Sequence, residues 1–330
     1  MSVLYVREQG ASVRKMGERI QVVKGAKVLL DIPVFQVENL ALMGNIQITS
    51  QAIYMLMENG IDISHFSYSG KYLGQTGAEA SKNIFLRFSQ YKFYLDMSKR
   101  LDMARIIVNN KISNQIAVME RHRWESGGYD WRRDTTKMRK LAKELMEKKT
   151  PNEILGVEGM CSNIYFGAFG KMLKCDVTFS GRNRRPPRDP VNVILSLAYT
   201  FLTREVAGAL EAESFEPYLG FVHGIRYGRK SLALDIVEEF RQPAVDRLVL
   251  ILFNKRMISA NDFEFVEDHV ILGEDGFKKF CREYERWMMG KNSNAGEIFR
   301  VKIRKQVALL KNAIKDEVPY EPFAWEKRCI

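Results

Sequence analysis

A histidine and three carboxylates lie close together in the stretch FVHGIRYGRKSLALDIVEEFR. His223 comes first, and a short basic loop separates it from the carboxylates. Asp235 lies three residues before Glu238 and four before Glu239, so on a helix either pair shares one face. An imidazole and a carboxylate together are ligands that a magnesium or manganese ion accepts. The segment therefore indicates part of a metal site, or an ordinary solvated helix, because runs of charge usually face water.

A second candidate is Glu158, the only acidic residue in LGVEGMCSNIYFGAFGKML. On a helix Glu158, Ser162 and Tyr165 share one face, and the rest of the stretch is apolar on nearly every side, which predicts a buried helix. An ionised carboxylate in such a place is costly unless a cation or a strong donor compensates it. Glu158 is therefore either a further metal ligand or a structural carboxylate, paired with one arginine or exposed at the helix start.

The third feature is a basic loop, SGRNRRPPRDP, that leads into the apolar run VNVILSLAYTFL. Its four arginines are Arg182, Arg184, Arg185 and Arg188. The Pro-Pro pair stiffens the loop, and the Asp-Pro pair at its end is typical of a helix start. Rigidly held guanidinium groups suit two-point contacts with phosphate oxygens. Because Asp189 is the only acid nearby, the loop favours phosphate binding over local ion pairs.

The overall charge favours a similar class of partner. The 330 residues include 51 lysines and arginines against 40 acidic residues, a formal net charge of +11. Such a surplus favours polyanionic partners such as nucleic acid or an anionic membrane face. The four cysteines form no C-x-x-C pair, so the sequence suggests neither a zinc knuckle nor a disulfide framework, and a reducing compartment fits best.

Several classes of protein are disfavoured because their motifs are missing from the sequence. There is no phosphate-binding loop, no G-x-S-x-G, no H-E-x-x-H and no Rossmann glycine pattern. No run approaches the roughly 18 to 20 apolar residues of a membrane-spanning helix. The amino terminus lacks the basic and then apolar regions of a signal peptide. We therefore expect a cytoplasmic protein with no membrane association.

The periodicity of the sequence changes once along the chain. Residues 1–78 contain short β-rich segments separated by turns, with one amphipathic helix, which predicts a small, mostly β domain. Its unpaired strand edges predict pairing with a second copy of the chain, so we assign this domain to dimerisation. Over residues 79–330 apolar residues recur at helical spacing, with an unbroken run over 82–124. The predicted fold class is α+β, a small N-terminal β domain followed by a larger all-helical domain.

The three features in this order resemble the CRISPR-associated endonuclease and integrase family, the catalytic subunit of the spacer-acquisition complex. The matching elements are GVEGMCSNIYF, RNRRPPRDPVNVILSLAYTFL, and EPYLGFVHGIRYGRKSLALDIVEEFR continuing into DRLVLILFNKR. The likeness is close over residues 156–256, and it extends through the first domain by strand pattern and the phrase FSYSGKYLG. It implies a dimerising β domain and a helical catalytic domain.

The resemblance also assigns roles to residues. It implies that a Mg or Mn ion is held by Glu158, His223 and Glu238, where parts of the family have Asp as the third ligand. Asp235 is implied as an accessory carboxylate, and we expect Tyr165 and Asn192 to give polar support near the site. The predicted DNA contacts are Arg182, Arg184, Arg185, Arg188 and Arg241.

The reaction that the resemblance implies is phosphoryl transfer on DNA. The free 3′-hydroxyl of a short duplex fragment, the spacer precursor, attacks a phosphodiester at the edge of a CRISPR repeat, which inserts the fragment into the array. The implied partners are DNA, a second copy of the chain and a small ferredoxin-like second subunit. Two alternatives stay open: a structure-selective DNA nuclease without an integration role, and a non-catalytic DNA-binding scaffold, whose binding would survive chelation.

Overall fold

The fold is that of a computed structural model of the chain, which describes residues 2–77, 83–122, 129–175, 177–183, 186–267, 269–291 and 298–325. The chain divides into two compact units, Met1–Ala80 and Ser81–Ile330. The first is rich in strands and the second is mostly helical, which confirms the predicted α+β class.

The described residues of the first unit form two four-stranded sheets, one α-helix and a short 3-10 helix, Val34–Gln36. Its strands are β1 (Ser2–Val6), β2 (Ser12–Met16), β3 (Arg19–Lys24), β4 (Lys27–Pro33), β5 (Val37–Met43), β6 (Gln47–Ile48), β7 (Asp62–Phe66) and β8 (Tyr72–Thr76), and its helix is α1 (Ser50–Glu58). One sheet has the order β1-β5-β7-β8 and the other β4-β3-β2-β6. In the first sheet β1, β5 and β7 run parallel, and β8 is antiparallel to β7.

Tight turns and alternating apolar residues explain this architecture. Gly17 and Gly25 lie in the short connections on either side of β3, at φ of 58° and 57°, a left-handed conformation that glycine adopts at little cost. Val13, Leu40 and Ile63 are fully buried, because strand alternation turns them toward one shared core. Helix α1 packs on this core against β2 and β7.

The second unit is built from helices and one hairpin. The helices are α2 (Ile84–Leu95), α3 (Met97–His122), α4 (Trp131–Lys143), α5 (Pro151–Met172), α6 (Pro190–Ala212), α7 (Ser231–Phe240), α8 (Arg247–Asn254), α9 (Glu274–Met288) and α10 (Phe299–Lys315). A π-helical segment, Arg241–Asp246, joins α7 to α8. Helix α3 packs against both α5 and α7.

The helical run predicted over residues 82–124 is divided into α2 and α3 at Asp96. The backbone of Asp96 is extended, and its carboxylate accepts hydrogen bonds from the N–H groups of Ser98 and Lys99 at 3.0 and 3.1 Å. An aspartate that caps a new first turn ends the preceding helix. The apolar spacing hides this break, because it continues on both sides of the cap.

The hairpin lies where the sequence predicted only helix. Strands β9 (Phe263–Val266) and β10 (His269–Leu272) pair in antiparallel register, with Glu267 at φ 46° in the connecting turn. Strand β10 packs on α6. With four residues each, the strands are too short for their alternation to be distinguished from one turn of helix.

Helix α6 is the central helix of the second unit. Asp189 caps it by accepting a hydrogen bond from the N–H of Asn192 at 2.8 Å, and Pro190 occupies its first turn. By length and composition it could cross a membrane, yet 61% of its most apolar window is buried inside the fold. It packs against α7, α10 and β10. We therefore interpret it as the core helix that positions the arginine loop at its start.

Candidate active site

Two helices that both pack on a third, and one loop, carry the predicted metal ligands. Helix α5 carries Glu158, and it begins at Thr150, whose hydroxyl accepts a backbone hydrogen bond at 3.3 Å, with Pro151 in the first turn. Helix α7 carries Glu238, and His223 lies in the loop that precedes it. Because α5 and α7 both pack on α3, residues far apart in sequence lie close together.

The ammonium of Lys111, on α3, connects two of the predicted ligands. Its Nζ forms ion pairs with Oε1 of Glu158 and, at 2.6 Å, with Oε2 of Glu238. The Lys111 side chain is only 4% exposed, so these carboxylates compensate a buried charge. The sequence analysis missed this lysine. Its signal is the run NNKISNQ, where polar residues take positions that helical spacing predicts to be buried.

Further hydrogen bonds hold each carboxylate. Ser162 donates to Glu158 at 2.7 Å, and Gln115 donates to the Ser162 hydroxyl at 3.2 Å. Arg241 donates to Oε1 of Glu238 at 2.9 Å. Burial tends to raise the pKa of Glu238, but the charges of Arg241 and Lys111 outweigh it and lower the pKa to about 2. Glu238 is therefore a buried carboxylate that stays ionised.

The carboxylate of Asp235 orients His223. It is fully buried and accepts hydrogen bonds from the N–H groups of Phe221, Val222 and His223 at 2.5, 3.0 and 3.0 Å. Its Oδ1 also lies 2.7 Å from Nδ1 of His223. A Cβ at Gly220 would lie 2.8 Å from this carboxylate, so the loop approaches α7 closely only because of that glycine.

This contact determines the state of the imidazole. When Nδ1–H of His223 donates to Asp235, Nε2 keeps its lone pair, an arrangement typical of metal-binding and catalytic histidines. Burial tends to lower the pKa of His223, but the hydrogen bond and charge of Asp235 raise it above its ordinary value. The charge of Glu238 also raises the pKa of His223, and the charge of His223 lowers the pKa of Glu238.

Glu239 faces a different part of the fold from Glu238. Its carboxylate accepts hydrogen bonds from the Tyr320 hydroxyl at 2.6 Å and from the Phe323 N–H at 2.7 Å. Burial raises its pKa to about 7. The structure places Asp235 beside His223 and Glu238 beside Lys111 and Arg241, and it gives Glu239 to the C-terminal segment.

The donor set fits a magnesium or manganese ion by its chemistry. Two carboxylates and an imidazole whose other nitrogen is held by a carboxylate are groups that bind such ions. In the part of the chain that the structure describes, no group of three or more His, Cys, Asp or Glu side chains is arranged to hold a metal. Instead, the Lys111 ammonium lies between Glu158 and Glu238. The present spacing of the carboxylates therefore accommodates an ammonium.

A buried network behind Glu238 contains Arg241 and the predicted accessory residue Tyr165. The Arg241 guanidinium lies 4.2 Å above the ring of Tyr199, whose hydroxyl donates to Asp246. Tyr165 is fully buried, and burial together with the charge of Asp246 raises its pKa well above its ordinary value. The Arg241 side chain is 12% exposed and pairs with Glu238, while its predicted contact with DNA stays a prediction.

Asn192, the other predicted accessory residue, organises the arginine loop. It is fully buried on the first turn of α6. Its Oδ1 accepts hydrogen bonds from Arg182 at 2.7 Å and from the Asn183 N–H at 3.1 Å. Its Nδ2 donates to the Gly181 carbonyl at 2.9 Å and to Asp189 at 2.6 Å. Asn192 therefore gives polar support to the loop and not to the predicted ligands.

The predicted DNA-binding arginines differ in their surroundings. Arg182 donates to Ser196 at 3.0 Å as well as to Asn192, so the fold uses its guanidinium. Arg188 is exposed to solvent. Arg184 and Arg185 lie outside the described residues. A cleft of about 720 Å³ beside the loop is lined by residues that include Asn163, Thr178, Ser180, Arg182, Arg188 and Phe265.

Comparisons with known proteins show which chains are similar in sequence and in fold. A curated protein from Thermus thermophilus, named CRISPR-associated endonuclease Cas1 3, is 34% identical over 334 residues, covering 98% of this chain and 97% of its own. A casposase bound to integration product has a TM-score of 0.84 at 24% identity, covering 100% of this chain and 96% of that one. A chain of a Cas6-RT-Cas1–Cas2 complex has a TM-score of 0.82 at 24% identity. The match covers 100% of this chain and 36% of that one.

The two solved structures show a shared fold, and the sequence comparisons show kinship. Residues 4–286 match the family described as CRISPR associated protein Cas1. The match includes α5, the arginine loop and α7, and so all three predicted metal ligands. The long match and the full-length relative together show that this chain belongs to the Cas1 family of CRISPR-associated proteins.

Proposed function

We propose that this protein is a DNA endonuclease and integrase that inserts short DNA fragments into a CRISPR array. One observation carries the proposal: Glu158 and Glu238, from two different helices, contact one buried ammonium, and Asp235, on the helix of Glu238, orients the imidazole of His223. The names of the relatives, a CRISPR-associated endonuclease and a casposase bound to integration product, support the same class of reaction. The 3′-hydroxyl of the fragment would attack a phosphodiester at the edge of a repeat.

We propose further that the site is dependent on Mg or Mn. Glu158, His223 and Glu238 would hold the ion, which would polarise the scissile phosphate and neutralise charge as the bond forms and breaks. The protein's own groups prepare the ligands. Asp235 keeps the Nε2 lone pair of His223 free, and Arg241 keeps Glu238 ionised and fixed in place.

DNA is the proposed substrate because of the charge of the chain and the place of the arginine loop. The net charge is +11, and the loop is pinned by Asn192 beside an open cleft where Arg188 faces solvent. Phosphate contacts of this kind position a duplex without reading its sequence. We therefore propose the cytoplasm, where chromosomal DNA lies, as the site of action.

We propose two protein partners. The Cas6-RT-Cas1–Cas2 complex among the structural neighbours supports a Cas2-type second subunit, which we expect to be small and ferredoxin-like. A homodimer is supported by β4, an edge strand of its sheet, where Val28, Leu29 and Leu30 are 47%, 39% and 37% exposed. Apolar residues on a free strand edge favour pairing with another copy. A Leu29→Lys variant should shift the protein toward monomer in light scattering.

The test of function is strand transfer of a labelled duplex fragment into a repeat-bearing plasmid, with Mn²⁺ or Mg²⁺ and with and without the second subunit. Wild type should join the fragment, and Glu158→Gln should lose joining. Glu274→Gln is the matched control, because Glu274 is 53% exposed in an ion pair at the surface. Full metal-dependent joining by Glu158→Gln would overturn the assignment.

The same assay separates the alternatives. A structure-selective nuclease would cut branched DNA without joining the labelled fragment. A non-catalytic scaffold would bind DNA with strong salt dependence, and its binding would be insensitive both to chelation and to His223→Ala.

A further inference from the structure

We infer that Lys111 is a stand-in for the metal ion: its ammonium occupies the ion's position in the metal-free protein, and metal binding displaces it. The inference rests on the proposed metal site and adds a residue that the family resemblance did not supply. Nζ of Lys111 contacts one oxygen of Glu158 and, at 2.6 Å, one oxygen of Glu238, the two carboxylates that the ion would share.

The count of charges around the site supports displacement. Glu158 and Glu238 contribute two negative charges, and Lys111 and Arg241 contribute two positive ones. Asp235, paired with a neutral His223, adds a third negative charge, so the group has a net charge of only −1 before any metal binds. A divalent ion added to it would leave an excess of positive charge in a largely buried place, which is unfavourable. If one ammonium leaves, most of that repulsion is relieved.

Lys111 is better suited to leave than Arg241. Its contacts at the site are the two carboxylates, and a lysine side chain is a flexible stem that can carry its charge outward. Arg241 is held by Glu238 and also by the ring of Tyr199 at 4.2 Å. Glu158 lies at a side of the site that solvent reaches, since 21% of its side chain is exposed, and the His223 side chain is 22% exposed. That side offers the ammonium a path toward water.

The lysine also explains how the site persists without metal. Two carboxylate oxygens that contact one ammonium lie close to each other and would repel if nothing lay between them. Lys111 removes this repulsion and holds α5 and α7 at a separation from which an ion can take over. Neutral Lys111 variants should therefore lose stability in chelator and regain it with metal.

The experiment measures Mn²⁺ binding by the paramagnetic resonance signal of the free ion, together with thermal unfolding in chelator and in Mn²⁺. The proteins are wild type, Lys111→Met, His223→Ala and Lys278→Met. Lys278 provides the matched control because it is 63% exposed and pairs with a carboxylate at the surface. No DNA is present, so catalysis does not enter the readout.

We expect Lys111→Met to bind Mn²⁺ at least tenfold more tightly than wild type, to melt lower in chelator and to gain more from Mn²⁺. Lys278→Met should behave as wild type, and His223→Ala should weaken binding. If wild type binds through His223 but Lys111→Met binds equally or more weakly, the stand-in role is wrong and the metal site stands. If neither wild type nor Lys111→Met binds saturably, both proposals fail.

A measurement on wild type alone keeps the inference testable if Lys111→Met does not fold. Acetic anhydride modifies free amines, and mass spectrometry reports the extent at each lysine. Displacement predicts that Lys111 is modified several-fold faster in Mn²⁺ than in chelator, while Lys278 is unchanged. Equal or slower modification of Lys111 in Mn²⁺, at concentrations that saturate binding, would overturn the inference.

Discussion

Replacing Asp235 with asparagine tests whether this carboxylate determines the state of the His223 imidazole. Oδ2 of Asp235 accepts from the N–H groups of Phe221 and Val222, and Oδ1 accepts from the N–H of His223 and faces its Nδ1. Asparagine has one acceptor oxygen, which the two donors at the Oδ2 position will occupy. Its NH₂ group then faces His223, and the imidazole can accept that hydrogen bond only by moving its proton to Nε2. The variant thus removes the free Nε2 lone pair.

The expected loss of stability in Asp235→Asn follows from the hydrogen bonds that change. Asp235→Asn loses the bond from the His223 N–H and replaces a charge-assisted bond at Nδ1 by a neutral one. Hydrogen bonds to charged groups contribute about 1.5–3 kcal/mol each, so we expect the free energy of unfolding to fall by about 2–4 kcal/mol. Loss of the group that orients a metal-ligating histidine typically costs about 10–100-fold in affinity or activity.

The stability that the contact between Asp235 and His223 contributes depends on pH in a defined direction. Asp235 raises the pKa of His223 in the folded protein, so the stabilisation is fully present below the unfolded value, about 6.5, and is lost as the pH rises through the folded pKa. Urea unfolding should therefore separate variant and wild type more at pH 6 than at pH 8. Strand-transfer rates give the second readout, with Asp275→Asn, 89% exposed, as the control. If Asp235→Asn joined DNA at the wild-type rate, the orienting role would be refuted.

Three further predictions concern the surroundings of the site. Burial raises the pKa of Glu239 from 4.5 to about 7, so wild type should lose about 3 kcal/mol of stability as the pH rises between these values, and urea unfolding of Glu239→Gln should show a flatter profile. Arg300→Met removes the guanidinium shared by Glu205 and Glu285, and the free energy of unfolding in urea should fall by about 3–5 kcal/mol, with partial recovery when both glutamates become glutamine. Asn192→Ala removes four hydrogen bonds of the arginine loop, so DNA affinity should fall in a salt titration while Mn²⁺ affinity stays at the wild-type value.

Much of the fold could be predicted because its causes are local. Alternating apolar residues predicted the strands of the first unit. The Asp-Pro pair predicted the start of α6. The two features of the fold that the sequence did not predict also have local causes. The side chain of Asp96 ends one helix and begins another without disturbing the apolar spacing, and the hairpin of β9 and β10 is too short to show a period.

The roles of several polar residues could not be predicted, because they depend on what lies opposite. Arg241 follows Glu238 by three residues and resembles a surface arginine in the sequence, but the turn after α7 buries it against Tyr199. The sequence analysis predicted Asn192 to lie near the metal site, yet the four hydrogen bonds of its side chain all hold the arginine loop. The exposure of a side chain and its contacts depend on how the helices pack together. The spacing of residues within one helix does not predict them.

The sequence by itself determined the family and the order of the units, and it singled out Glu158, His223 and the acidic helix as candidate ligands, because each depends on residue types at fixed local spacing. Tertiary structure decided that Glu239 contacts the C-terminal segment, and that Lys111 stands between Glu238 and Glu158. The physical reason is that helical periodicity defines faces relative to one helix axis. Only the packing of α3 against α5 and α7 determines which faces meet, and so which buried charges must compensate each other.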